Sequence, residues 1–275
     1  MGHEGLSALE IYKSAREEIE QIYRSRLLTE TLLSLGEGNK TLSQLREITG
    51  SSSQAIIPKI RRLESMHLLE RQNNEYKLTP LGKVITFKME DFSRALGSTK
   101  RHRNFWANHY IEGIPAALLN EIGDLFNSET ISDTTVKVLN VYGNYADVVN
   151  EARYIYGISS IISQGHVDIL QKRVTDGVPV ELVISREVAM QLKGDQYSSK
   201  INTLADYKNL KLMVTDENFK AGTIITDKCF SFGLYKKDGA IPDTATNIIS
   251  RDKKAIEWGR RLFEYYKQRA VILDI

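Results

Sequence analysis

Residues 41–81, TLSQLREITGSSSQAIIPKIRRLESMHLLERQNNEYKLTPL, decide how this chain folds. Thr41 is placed to cap a short helix carrying Leu42, Leu45 and Ile48 on one face, and Gly50 ends it. Ser51 then opens a second helix, with Gln54 three residues on at capping-box spacing. Along that helix Ile56, Ile60 and Leu63 face inward, with Ile57 and Met66 beside them. Residues 68–71 and 76–78 alternate around Gln72-Asn73-Asn74-Glu75, a hairpin with turn formers at its tip. Thr79-Pro80 starts another helix, with proline at the first helical position. Upstream, Leu28, Leu32 and Leu35 recur at helical spacing and stop at Gly36-x-Gly38. Helix, tight turn, helix and hairpin in this order are the pattern of a winged helix-turn-helix.

Such a fold places its second helix in the major groove of DNA. The start and outer face of that helix carry Ser51, Ser52, Ser53, Gln54, Lys59, Arg61 and Arg62, and the hairpin adds Arg71, Asn73, Asn74 and Lys77. Hydroxyls and amides can reach base edges, while lysine and arginine can meet phosphates. Residues 40–88 hold nine basic and four acidic side chains, so the segment carries +5, the whole chain +2 and the remainder −3. That local excess suits a phosphate-facing module. The bland alternative is a three-helix structural module with a solvated charged face. Pro58 breaks the local rules, because a proline inside a helix removes a hydrogen bond and costs about 3 kcal/mol. Either the helix kinks there or the segment is not one helix.

Flanking signals are weaker. Residues 6–22 read as an extra helix with Leu6, Leu9, Tyr12, Ile19 and Tyr23 in a narrow stripe, suited to packing on its own domain or to a seam in a dimer. The helix after Pro80 carries Val84, Ile85, Met89, Phe92 and Leu96 and is expected to stop near Gly97. Lys100-Arg101-His102-Arg103 could touch DNA beside the site or form a solvated linker.

From Val138 onward strands and helices alternate. Residues 157–162, 180–185 and 211–215 read as strands, 167–174 as a helix, 222–226 and 231–235 as an antiparallel pair, and 251–270 as a long amphipathic helix with Ile256, Leu262, Phe263 and Tyr266 inward. That alternation implies helices on a mixed sheet. His102 and His109, seven apart, could share a helical face but do not make a metal site without further ligands. His166 follows Gln164-Gly165 at a helix start, where it could contact a ligand or simply cap and solvate. Tyr142, Tyr145, Tyr154 and Tyr156 suit a pocket or a subunit interface.

At 275 residues with 41% hydrophobic composition, the chain can build two cored domains. No run of about 18 apolar residues spans a membrane, and Met1-Gly2-His3-Glu4 lacks the pattern of a signal peptide. Cys229 is the single cysteine, which excludes an intramolecular disulfide and fits the cytoplasm. No Gly-x-Gly-x-x-Gly or Walker pattern occurs, so no nucleotide cofactor is expected. No repeat with a period of 20 to 50 residues is present.

The stretch from Thr41 through Tyr76-Lys77-Leu78-Thr79-Pro80-Leu81-Gly82-Lys83-Val84-Ile85 resembles the N-terminal domain of archaeal ArsR-like winged-helix transcription regulators. Phe105-Trp106-x-Asn108-His109-x-Ile111-Glu112-Gly113-Ile114-Pro115, followed by Leu118-Leu119 and Ile122-Gly123-Asp124-Leu125, resembles the joining region of the methanogenesis-regulator family. The resemblance covers the chain from about Arg26 onward. It implies a dimeric archaeal transcription regulator whose DNA-binding domain is fused to a sensor-like domain. The second half is similar to the phospholipase D-like fold. Enzymes of that fold use His-x-Lys followed four residues later by Asp: the histidine attacks phosphorus, the lysine neutralises phosphate charge, and the acid orients the site. With Asp227 on the motif's acid, Lys220 takes the histidine position and Gly222 the lysine position. A lysine protonated near pKa ~10 is a poor phosphorus nucleophile at neutral pH, so the resemblance implies a fold kept without its chemistry.

The expected chain is therefore an α+β multidomain protein: an extra helix (1–24), a winged helix-turn-helix (25–98), a helical linker (99–137) and an α/β phospholipase D-like domain lacking the catalytic motif (138–275). The expected partners are double-stranded DNA, a second copy of the chain and a small-molecule effector, with no membrane, metal or cofactor. His166, Ser185, Arg186 and Lys220 are the candidate effector-binding residues. A phosphodiesterase with a DNA-targeting head is the alternative function.

Overall fold

The computed structural model describes residues 6–273. The chain divides into two compact units, Met1–Ser93 and Arg94–Ile275.

The first unit begins with α1 (Ala8–Ser14), α2 (Arg16–Arg24) and α3 (Arg26–Gly36). The stretch expected as one extra helix is two, because Ala15 leaves helical geometry at φ −109°, ψ 12°. Next come β1 (Lys40–Thr41), α4 (Leu42–Thr49), α5 (Ser53–Ser65), β2 (Leu69–Gln72) and β3 (Glu75–Leu78). The strands form a three-stranded sheet in the order β1-β3-β2. In the hairpin Gln72 pairs with Glu75, so the tip is only Asn73-Asn74, tighter than the four residues expected. Asn73 takes φ 56°, a left-handed conformation that asparagine tolerates. One core unites Leu28, Leu32 and Leu35 of α3, Leu45 of α4, Ile56, Ile60 and Leu63 of α5, and Tyr76 and Leu78 of the wing. Ile48, expected beside Leu45, is 52% exposed.

α6 (Pro80–Arg101) is longer than the sequence suggests. Gly97 does not stop it. A Cβ there would lie 2.7 Å from the Phe126 ring, so this glycine serves a close approach. At its start, Thr79 donates to the His67 carbonyl (2.6 Å) and accepts from the Gly82 amide (3.0 Å).

The second unit adds α7 (Arg103–Asn108), α8 (Ala116–Asn120), a 3-10 turn (Ile122–Leu125), β4 (Glu129–Ser132), α9 (Asn140–Asn150), β5 (Ile155–Ser159), α10 (Gln164–Thr175), β6 (Val180–Ser185), α11 (Arg186–Leu192), α12 (Asp195–Leu204), β7 (Leu210–Thr215), β8 (Ala221–Ile225), β9 (Phe230–Leu234), β10 (Thr246–Ser250), α13 (Lys253–Lys267) and β11 (Val271–Ile272). The strands make one sheet in the order β11-β7-β6-β5-β8-β9-β10-β4. β5, β6 and β7 are parallel and the remaining pairings antiparallel, which is the mixed sheet expected. The segment read as a helical linker supplies Phe105, Ile114, Leu118, Ile122 and Leu125 to this unit's core, and β4 to its sheet. Its helical pieces are too short to display a period, which hid their role. Trp258, Leu262 and Phe263 of α13 are fully buried against Phe230 and Phe232, each worth about 1.5–3 kcal/mol relative to exposure. The Trp258 Nε1–H is satisfied by the Leu118 carbonyl at 2.9 Å.

Between α9 and α10, the His166 ring stands edge-on to Tyr145 and Tyr142, at 4.4 and 5.4 Å. Burial pushes the imidazole below its usual pKa and the Tyr145 phenol well above its own. Among the described residues no helix is long and apolar enough to cross a membrane.

Two expectations follow. A Cβ at Gly82 would lie 1.8 Å from the Leu68 carbonyl oxygen. Gly82→Ala should therefore destabilise the first unit by about 1–3 kcal/mol, despite its better helix propensity, and denaturant titration will show it; unchanged stability would contradict the packing. His166 protonates more readily unfolded than folded, so its contribution is complete above about pH 6.5 and is lost as pH falls below that value. The second unit's denaturation midpoint should drop between neutral and mildly acidic buffer, and the drop should shrink in His166→Gln. A drop undiminished in the variant would assign the pH dependence elsewhere, for instance to His102, which burial also holds low.

Candidate nucleic-acid interface

The geometry of α5 is set at its two ends. Thr41 and Gln44 form a capping box on α4: the Gln44 amide donates to Thr41 Oγ1 (3.3 Å), and the Thr41 amide donates to Gln44 Oε1 (2.8 Å). α4 closes at Gly50, whose φ of 60° is the left-handed turn that favours glycine. Arg26 donates to the Thr49 carbonyl at the end of α4 (3.1 Å) and to Glu30. This brace left no signal in the sequence beyond an i,i+4 pair. α5 is then capped by Ser52, which accepts from the Ala55 amide, and not by Ser51. Ser51 instead shares a hydrogen bond with Thr49 Oγ1 (2.8 Å), so the cap falls one residue later than its spacing with Gln54 suggests.

Burial of Ile56, Ile60 and Leu63 turns the opposite side of α5 to solvent. Gln54, Ala55, Pro58, Arg61 and Arg62 are exposed there, and Ser53 and Lys59 are half-buried at its margins. The helix runs unbroken through Pro58. Pro58 lies on the exposed side, where the Gln54 carbonyl it cannot satisfy can be hydrated, which explains why the proline is tolerated.

The basic side chains are not equivalent. Arg62 donates through both Nε and Nη2 to Gln21 Oε1 of α2, at 3.1 and 2.7 Å. Lys77 pairs with Glu70 directly across the wing at 3.0 Å. The Arg71 guanidinium lies over the Tyr76 ring at 5.9 Å. Lys59 and Arg61 make no hydrogen bond or ion pair among the described residues. Asn73 and Asn74 form the exposed tip of the wing. The structure thus gathers Ser52, Ser53, Gln54, Lys59 and Arg61 on one helix, and holds Arg71 and Lys77 by contacts within the wing.

In the second unit the four candidate effector residues come to one end of the sheet. Parallel β5 and β6 finish there at Ser159 and Ser185, and antiparallel β8 starts there after Lys220. They do not line one cavity. Ser163, the cap of α10, holds His166 through Nδ1 at 2.6 Å. Ser185 caps α11 by accepting from the Val188 amide. Arg186 forms a two-pronged pair with Asp216 (2.6 and 2.8 Å) beside a hollow of about 410 Å³ that Thr215, Asn218 and Arg269 also line. Lys220 Nζ donates to the Gly239 carbonyl at 2.6 Å and lies over the Tyr110 ring at 5.2 Å. Asp227 sits past the far end of β8 and accepts from the Arg153 amide. Lys220, Gly222 and Asp227 therefore form no phosphotransfer constellation.

His102 and His109 do not share a helix, because the chain breaks between α6 and α7 at His102. His102 Nδ1 bonds Thr130 Oγ1 (2.8 Å). His109 donates from Nδ1 to the Phe105 carbonyl (2.7 Å), and its Nε2 meets Asp243 at 3.0 Å.

Sequence comparison agrees with this two-part layout. Residues 16–97 match the profile described as the N-terminal domain of methanogenesis regulatory protein FilR1, and residues 139–269 match that of its middle domain. The methanogenesis regulatory protein FilR1 of Methanothrix harundinacea (strain 6Ac) is 27% identical over 253 residues, which are 91% of this chain and 56% of that protein. The chain thus spans about half the length of the curated relative it matches. Among solved structures, the archaeal chromatin protein TrmBL2 aligns at 16% identity and a TM-score of 0.42 over 95% of this chain and 100% of that one. The phospholipase D family member Nuc from Salmonella typhimurium aligns at 13% identity and a TM-score of 0.41 over 54% of this chain and 98% of that one. With both of its domain profiles matched in order along one chain, the protein belongs to the family of the methanogenesis regulatory protein FilR1.

Proposed function

We propose that this chain is a DNA-binding transcription regulator that acts as a homodimer on cytoplasmic duplex DNA. The observation that carries the reading is α5: a helix pinned by three buried side chains, presenting Gln54, Lys59 and Arg61 to solvent in a segment of charge +5. In this reading Ser52, Ser53 and Gln54 read base edges near the helix start, and Lys59 and Arg61 neutralise phosphates. Arg62 orients the helix through Gln21 as much as it meets DNA. Asn73 and Asn74 bring the wing tip to the adjacent backbone. Two copies read half-sites about one helical turn apart. The second unit senses a small molecule at the sheet end that holds Ser185 and Arg186, and it performs no catalysis. The phosphodiesterase alternative is disfavoured because Lys220, at the nucleophile's place, spends its ammonium on a backbone carbonyl.

Fluorescence anisotropy of labelled duplexes over a salt series tests the reading. Lys59→Ala and Arg61→Ala should each weaken binding to all sequences and reduce the salt slope by about 1. Gln54→Ala should relax preference at one base pair, by about 1–3 kcal/mol. An unaltered slope in both cationic variants would remove α5 from the interface.

A further inference from the structure

A hollow of about 530 Å³ lies within the second unit, lined by the end of α6, by α7 and by β4 and β10. β4 is the edge strand of the sheet, and its Ser132 pairs directly with Thr246 of β10. Side chains two apart on a strand, or directly opposite one another, point to the same face. Thr130, Ser132 and Thr246 therefore set three hydroxyls along this wall. The helical part of the lining contributes Lys100, Arg101 and Arg103, all exposed, with the Asn104 and Asn108 side-chain amides beside them.

None of the three cations has a carboxylate partner among the described residues. Arg101 lies over the Phe126 ring at 6.0 Å. The one carboxylate in the lining, Asp243, is already held by His109 Nε2 (3.0 Å) and by the Ala245 amide (2.9 Å). Three cations and one carboxylate leave the lining at +2. Helix ends explain only part of this excess. A cation is favoured in the last turn of a helix and disfavoured in the first. Lys100 and Arg101 close α6, but Arg103 is the first residue of α7. Burial, and with it the Arg101 charge, holds the His102 imidazole in the lining below its ordinary value, so the positive field is felt within the wall.

We propose that this hollow binds a small phosphate monoester. Arginine forks and a lysine ammonium match phosphate oxygens. A phosphorylated hydroxyl carries about −1.5 to −2 charge at neutral pH and three acceptor oxygens, which balances the excess here. The hydroxyls and amides supply the further donors that three oxygens take, more than a carboxylate uses. The volume falls in the range of small-molecule sites and leaves room for an organic body beyond the phosphate. The hollow is separate from the sheet end that holds Arg186. β6 and β4 are five strand positions apart in the sheet, about 24 Å at the usual strand spacing. A duplex backbone fits less well, because each of its phosphates is a singly charged diester.

Isothermal titration calorimetry of the full chain tests this, with glycerol 3-phosphate, succinate and glycerol as probes. Glycerol 3-phosphate should bind at about millimolar concentration or below, more tightly than succinate, and glycerol should give no heat of binding. K100Q/R103Q, changed at two exposed positions, should weaken glycerol 3-phosphate by about tenfold or more, with an unchanged circular dichroism spectrum. R186Q should leave that affinity unaltered. No binding of glycerol 3-phosphate, tighter binding of succinate, or affinity that survives K100Q/R103Q and is lost in R186Q would overturn the site. A K100Q/R103Q variant whose one defect is a smaller salt slope on duplex DNA would assign these cations to the DNA backbone and overturn it as well.

Discussion

The packing of Ile56, Ile60 and Leu63 against α3, α4 and the wing is the constraint on which the first unit depends. Those three side chains fix the rotation of α5, and rotation alone decides which residues meet solvent. Because apolar positions recur every three to four residues, Gln54, Pro58, Arg61 and Arg62 are forced outward together. The left-handed Gly50, the Ser52 cap and the Arg26 brace fix the direction of entry. The wing closes against the same core through Tyr76 and Leu78. A solvent-facing polar side of α5 therefore follows from a packing seam.

The second unit applies the same logic to a sheet. Three adjacent parallel strands, flanked by antiparallel ones, bring Ser159, Ser185, Thr215 and Lys220 to a common end. Ligands of open α/β sheets are bound outside the carboxyl ends of the strands. Yet all four candidate polar groups there are engaged within the protein: His166 by Ser163, Ser185 by the Val188 amide, Arg186 by Asp216 and Lys220 by the Gly239 carbonyl. Arg186 is the candidate that faces a hollow. This end of the sheet is polar, and its candidate side chains are held by contacts within the protein.

Much of this was legible in the sequence, because the signals were local. The helix–turn–helix seam, the Pro80 helix start, a hairpin turn within residues 72–75 and the buried strand at residues 180–185 each depend on spacing within one element. What escaped depended on contacts between distant residues. β1 exists because Lys40 and Thr41 pair with Tyr76 and Glu75, and two residues carry no periodicity. β4 joins the sheet only because β10 offers an edge. Gly97 looks like a helix stop until Phe126 packs on it. The cap at Ser52 displaced the expected one at Ser51 because Thr49 supplies a competing hydroxyl. For the candidate site, residue types and their helix were readable. Which cations are already engaged, such as Arg62 by Gln21 and Lys77 by Glu70, was not.

The central claim is that this chain reads duplex DNA through paired α5 helices. Hydroxyl-radical footprinting on duplexes enriched by repeated selection with the full chain tests it most directly. The account predicts a dyad-related site with two protected stretches about one helical turn apart, and loss of both in a Lys59→Ala, Arg61→Ala variant that remains folded. Failure to enrich any site, or protection that survives that substitution, would contradict it.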